Sequence, residues 1–127
     1  MIISGGAPLF ADVAQAVQRH LGCSVVQGWG MTEVTTVGSG ASPARDRPGT
    51  VGLIGSDAAL RIIDTEKGED VPIGTPGKLW VRGPHVMKRN LNRPEGILKT
   101  LTPDGWLRTG DVADIDEDGY LILHDRL

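Results

Sequence analysis

The period of the apolar positions changes once along the chain. Leu9, Val13, Val17 and Leu21 recur at every fourth residue, with Phe10 and Ala14 alongside, which predicts an amphipathic helix over residues 8–21. Pro8 suits a first helical position. Asp12 lies early and Arg19 and His20 late, the charge order a helix dipole favours, and Gly22 fits just past the end. Met1-Ile2-Ile3 before it predicts a short strand entering a Ser4-Gly5-Gly6-Ala7 turn, and Cys23–Gln27 after it a second strand. From residue 59 the period is two. Ala59–Asp64, Lys78–Arg82, Asp111–Asp116 and Tyr120–His124 are the expected strands, with Asp116–Gly119 as a tight hairpin connection. Pro94–Leu101 predicts a short helix weakened by Gly96. Residues 35–58 carry Ser, Gly, Pro and Asp without a period and read as one long loop. The expectation is an α/β chain: a strand–helix–strand opening, then a β-rich second half.

Composition narrows the class. A chain of 127 residues is one domain or part of one, and it can bury a real core. The 18 glycines and 8 prolines, roughly one residue in five against an average near 12%, imply short elements and many turns. One cysteine excludes an internal disulfide or a multi-cysteine zinc site and suits a reducing compartment. A net charge of −3 without a basic run argues against nucleic acid. No apolar stretch is long enough to suggest a membrane helix. The N-terminus lacks the basic start of a signal peptide, so a cytoplasmic location is expected. The chain opens in one strand pattern and stops at Asp125-Arg126-Leu127 after another, so both ends read as cut.

Three segments carry candidate chemistry. In Gln27-Gly28-Trp29-Gly30-Met31-Thr32-Glu33, two glycines bracket an aromatic, which lets backbone approach a ligand while a ring offers a stacking surface. Thr32 can donate to a phosphate oxygen, and Glu33 is a hard oxygen ligand suited to Mg²⁺. Taken alone, the segment reads rather as a turn with a core tryptophan and a solvated glutamate. In Trp106–Asp111 a carboxylate follows a glycine. It can accept from both hydroxyls of a ribose or simply cap a turn. Arg126 offers a planar fork of donors or a surface ion pair. There is no GxxxxGK[ST] or GxGxxG loop, and His20, His85 and His124 share no metal spacing.

Together and in this order, the segments resemble the adenylate-forming ligases: acyl-CoA synthetases, aryl-CoA ligases, luciferases and peptide-synthetase adenylation domains. Ser4–Leu9 resembles that family's adenine-side strand and turn, and Gly28–Glu33 its Gly-Tyr-Gly-Met-Thr-Glu motif. Gly49-Thr50-Val51-Gly52 resembles Gly-x-Val-Gly, Gly77–Gly83 resembles Gly-Glu-Leu-x-Val-Arg-Gly, and Gly105–Asp111 resembles Gly-Trp-x-x-Thr-Gly-Asp. Asp125-Arg126-Leu127 resembles the start of the hinge. The resemblance covers essentially the whole chain. It implies that residues 1–127 are the C-terminal part of the AMP-binding N-terminal domain, with a barrel-like second subdomain. The phosphate-loop region and the C-terminal domain would lie outside the chain.

By the same resemblance, Gly5, Gly6 and Ala7 flank the adenine, with the Trp29 ring on its other side within Gly28–Met31. Thr32 holds a phosphate, Glu33 the magnesium and Asp111 the ribose hydroxyls, with Arg126 assisting. The implied substrates are ATP, a carboxylic acid and coenzyme A. The acid attacks the α-phosphorus to give an acyl-adenylate and pyrophosphate, and a thiol then displaces AMP. The wording of Gln27–Glu33 and Arg82–Arg89 is most like the fatty-acid members, with an aryl acid as the other option. Val34–Gly38 is expected to supply part of the acyl-pocket wall. Three departures stand out: Trp29 for tyrosine, Lys78 for glutamate, and Asn90 where an aromatic is common. The isolated chain is expected to be inactive. The alternative reading is a non-catalytic remnant that binds nucleotide or packs against a partner.

Overall fold

The computed structural model describes residues 1–35, 39–88 and 99–126. The opening is the expected strand–helix–strand unit. Strand β1 (Ile2–Ser4) runs parallel to β2 (Val25–Trp29), with Ile2 opposite Val25. Helix α1 (Ala11–Leu21) makes the crossover that parallel neighbours require. The helix starts three residues later than its periodicity predicts. The Gln27 side chain accepts from the Leu9 backbone N–H (3.0 Å) and donates to the Leu9 carbonyl (3.1 Å). That clamp holds Pro8 and Leu9 in a loop against β2, and Phe10, still extended, becomes the N-cap. The C-terminus is as expected: Gly22 is left-handed and its N–H donates to the Gln18 carbonyl. None of the residues of α1 is buried.

The stretch expected as one loop contains two short strands, β3 (Ser39–Gly40) and β4 (Leu53–Ile54). They extend the first sheet in the order β1-β2-β3-β4, antiparallel beyond β2. Strands of two residues carry no alternation, so the sequence gives no period to detect. A close backbone approach holds them in place. A Cβ on Gly52 would lie 2.2 Å from the Gly40 carbonyl carbon, so only glycine fits there. Ser39 Oγ donates to the Val51 carbonyl at 2.8 Å.

The second sheet is an antiparallel meander of β5 (Ala59–Ile63), β6 (Gly77–Arg82), β7 (Leu107–Ile115) and β8 (Leu121–Arg126), in that order. Among the described residues it is open, with β5 and β8 as its outer strands, and no closed barrel forms where a barrel-like subdomain is expected. Strand β7 begins four residues before the expected Asp111. Thr109-Gly110-Asp111 interrupts its alternation and hides the continuity. In the β7–β8 hairpin, Asp116 Oδ1 accepts from the Asp118 and Tyr120 backbone N–H groups. The expected helix at Pro94–Leu101 lies mostly outside the described residues, as does Asn90. Leu101 itself bridges to Leu107.

One core joins the two sheets. Leu79, Val81, Leu107, Ala113 and Leu121 are fully buried, and Trp29, Val34 and Val51 from the first half pack among them. Val34 is therefore core, not pocket wall, and residues 36–38 lie outside the described residues. The backbones are also stitched: Val51 N–H donates to Leu121 O (2.9 Å) and Leu121 N–H to Gly52 O (3.0 Å). No helix among the described residues is long and apolar enough to cross a membrane.

Candidate functional site

A cavity of about 450 Å³ opens where the two sheets meet. One wall is the loop Gly6–Phe10, which the Gln27 clamp shapes. The Gln27–Met31 stretch, at the end of β2, forms the floor, and Gly49 and Val51 close one side. The second sheet contributes Asp111 and the run Leu123-His124-Asp125. Of the expected site residues, Gly6, Ala7, Gly28, Trp29, Gly30, Met31 and Asp111 line this one space.

Two β-bulges deliver the second sheet's side chains. Along β6 and β7 the register runs Lys78↔Val112 and then Trp80↔Arg108. Thr109, Gly110 and Asp111 therefore stand opposite the single residue Leu79. Thr109 Oγ1 donates to the Leu79 carbonyl (2.8 Å) and accepts from the Asp111 backbone N–H (3.1 Å). Gly110 takes a φ of +82°, which a side chain would resist. Along β7 and β8, Val112↔Asp125 is followed by Ala113↔Leu123, which leaves His124 as the unpaired residue. Bulges re-aim side chains next to functional sites. Here one turns Asp111 into the cavity, and the other places the His124 ring against Asp114, with Nε2 2.7 Å from Oδ2.

The two halves of the site also touch. The Trp29 indole N–H donates to Asp111 Oδ2 at 2.8 Å. Trp29 is only 6% exposed, so its ring belongs to the core and to the cavity at once.

Other expected residues lie beside the cavity. Gly5 sits behind the Gly6–Phe10 wall, where an added Cβ would be in ordinary contact with the Gly28 carbonyl. Thr32 and Glu33 follow Met31 on a 3₁₀ turn over Thr32–Val34, with Thr32 exposed and Glu33 half-buried. The Glu33 carbonyl accepts from the Met87 N–H at 2.7 Å, which fixes the turn against the Gly83–Lys88 segment. Arg126 stands opposite Asp111 in the β7–β8 register. No group of three or more His, Cys, Asp or Glu residues among the described residues could hold a metal ion. Pro8, Leu9, Phe10, His124 and Asp125 line the cavity although sequence reasoning gave them no role. The signal for the last two is the run His124-Asp125-Arg126, where three polar residues break the alternation of β8.

Residues 1–89 match the model of the AMP-binding enzyme family. The chain belongs to that family. It is 43% identical to 4-coumarate–CoA ligase-like 4 of Oryza sativa subsp. japonica over 99% of its own length and 23% of that protein's. Its fold matches apo MatB from Rhodopseudomonas palustris with a TM-score of 0.89 at 36% identity, covering 99% of this chain and 25% of that one. It also matches O-succinylbenzoate coenzyme A synthetase (MenE) from Bacillus subtilis in complex with ATP and magnesium, with a TM-score of 0.84 at 30% identity. That match covers 98% of this chain and 26% of the synthetase. The AMP-binding enzyme segment thus spans about a quarter of the length of these relatives. The fold is that of the adenylate-forming N-terminal domain, with two open sheets in place of the expected barrel-like part.

Proposed function

We propose that this chain is the C-terminal part of an adenylation domain in an ATP-dependent acid–thiol ligase. Its cavity would hold the nucleoside of ATP, and later of AMP. One observation carries the reading: Gly28–Met31 and Asp111, far apart in sequence, line one cavity together with Gly6 and Ala7. In this reading, Gly6 and Ala7, backed by Gly5, lie along one face of the adenine and the Trp29 ring along the other. Asp111 accepts the ribose hydroxyls and Arg126 assists from the facing position on β8. Thr32, just beyond Met31, donates to a phosphate oxygen.

Among the described residues, Glu33 belongs to no group of three or more metal-ligating side chains. It suits Mg²⁺ in the common arrangement of one or two carboxylates completed by substrate phosphates. Magnesium, when bound, supplies charge neutralisation at the phosphates. The chemistry needs this arrangement because a free carboxylate is a poor electrophile; adenylation gives it a leaving group that a thiol can displace. For the acceptor we propose coenzyme A. For the acid we propose a medium- or long-chain fatty acid, on the wording of Gln27–Glu33 and Arg82–Arg89. A reducing compartment, the cytoplasm, fits the single cysteine, Cys23.

The test replaces the matching quarter of the R. palustris enzyme with residues 1–127 and measures acid-dependent exchange of pyrophosphate into ATP. The reading expects exchange that is lost in Asp111→Ala. A chimera that folds and binds AMP but never exchanges would assign the segment to a non-catalytic nucleotide-binding role. In the full-length protein, a fatty acid set against 4-coumarate decides the acid: faster turnover of 4-coumarate overturns that part.

A further inference from the structure

Trp29 as a cavity wall and Asp111 as a ribose acceptor leave one contact unused, the bond between them. The two residues come from different sheets and lie 82 positions apart. The bulge fixes the Asp111 backbone through Thr109. The carboxylate's own terminal torsion is broad, so a side-chain donor can narrow it. The indole N–H, 2.8 Å from Oδ2, supplies that restraint. An indole is a donor only, whereas an ionised carboxylate accepts at about four lone-pair sites. One such donor takes one of those sites, so the tryptophan helps to orient the carboxylate without occupying the rest. A phenylalanine would build the same wall without a donor.

We propose that Trp29 is a positioning residue. Its indole N–H sets the plane of the Asp111 carboxylate so that the vicinal hydroxyls of a ribonucleotide can donate to it. The cavity then prefers a ribonucleotide to its 2′,3′-dideoxy analogue through Trp29 as well as Asp111. This rests on the ribose reading of Asp111 and names a second residue that the reading requires.

The test titrates AMP and 2′,3′-dideoxy-AMP into the ¹⁵N-labelled 127-residue chain and its Trp29→Phe and Asp111→Asn variants, followed by NMR. The native chain is expected to prefer AMP about tenfold, which corresponds to about 1.4 kcal/mol. Trp29→Phe should lose most of the AMP preference, read as the ratio of the two affinities within the variant, since one charge-assisted hydrogen bond is removed. Asp111→Asn should lose the preference too and move the Trp29 indole resonance upfield.

A Trp29→Phe variant weakened equally for both nucleotides overturns the proposal, because a structural role alone lowers both. If Asp111→Asn still abolishes the preference in that case, the ribose reading stands without Trp29. A preference that survives in Asp111→Asn, or is absent from the native chain, removes both. Should Trp29→Phe not fold, the native chain decides. An indole resonance that shifts with AMP and not with the dideoxy analogue supports the proposal, and equal shifts overturn it.

Discussion

Helix α1 carries an unbroken apolar pattern and strand β7 an interrupted one, yet it is β7 that lies in the core. Along β7, Leu107 and Ala113 have no exposed surface. Along α1 nothing is buried, and Val13 and Leu21 remain 44% and 57% exposed. Ile3 and Phe10 beside the helix are more exposed still, at 67% and 74%. Periodicity reports which face of an element is apolar; it does not report whether the covering partner is at hand. The second sheet finds its partners within the described residues, in Trp29, Val34 and Val51. The apolar face of α1 is covered only in part there: it lies along β2, with Ala14 and Val17 half-buried. Apolar positions should therefore carry very different energies in the two regions.

Truncations test that contrast with the largest effect. Leu107→Ala should cost about 2–5 kcal/mol, the range for a buried leucine whose site collapses only partly. Leu21→Ala on α1 should stay within about 0.5 kcal/mol, as for a surface change. Urea unfolding of both variants at unchanged m checks it. A comparable loss for Leu21 would show that the helix face is covered in solution.

The site lies where the two regions meet, and Asp111→Ala tests it next. In a full-length ligase carrying this segment, losing one charge-assisted bond of roughly 1.5–3 kcal/mol corresponds to about 10- to 150-fold weaker use of ATP. The preference for ATP over its 2′,3′-dideoxy analogue should shrink with it. A variant that is less stable but equally selective would assign Asp111 to the turn alone. Glu33→Gln in the same protein should damage adenylation far more than transfer from a supplied acyl-adenylate, and equal damage would remove the metal role.

What the sequence revealed follows from how local the physics is. Helix α1, its Gly22 stop, β5, β6 and the Asp116–Gly119 hairpin are set by neighbours in sequence, and their patterns could be seen directly. The late start of α1 could not, because Gln27 imposes it from 18 positions away. The two-residue strands β3 and β4 depend on the backbone contact between Gly52 and Gly40. The segments Gly28–Met31 and Asp111, which line one cavity, were singled out through the family resemblance. His124 and the Trp29–Asp111 bond were not, since both depend on bulges and on a meeting of two sheets. The barrel-like expectation came with the family resemblance; alternation identifies strands and says nothing of closure.

A smaller effect is expected from the exposed apolar group of the first region. Ile3→Lys should leave the unfolding free energy within about 0.5 kcal/mol, as for a surface position. It should also lower self-association, because β1 presents both an apolar side chain and a strand edge. Sedimentation over a concentration series checks it. Unchanged association would mean that this face does not drive contact between molecules.

The smallest effect concerns Arg47, which fastens the first region to the hairpin of the second. Its guanidinium pairs with Asp116 and, at 2.7 Å, with Asp118, and it lies 4.1 Å from the centre of the Tyr120 ring. The side chain is 42% exposed, so solvent screens the pairing and its contribution is modest. Hydrogen bonds to Asp118 and Asp116 raise the Arg47 guanidinium above its ordinary value. Burial pushes the Asp116 carboxyl up, but the Tyr120 backbone N–H and Arg47 outweigh it and hold it below its ordinary 3.8. The folded chain therefore binds this proton less readily than the unfolded one. As pH falls below about 3.8, the unfolded state is protonated first, and the stabilisation is lost as pH drops through the folded value. Asp70 beside Arg61, whose carboxyl is also lowered, adds to the same acid loss independently of Arg47. Arg47→Met should thus melt slightly below the native chain at neutral pH, and the gap should close in acid while the Asp70 part of the pH dependence remains. Thermal unfolding of the two proteins across a pH series measures the gap. A gap that stays constant into acid would assign Arg47's contribution to its packing over Tyr120 and not to its carboxylate partners.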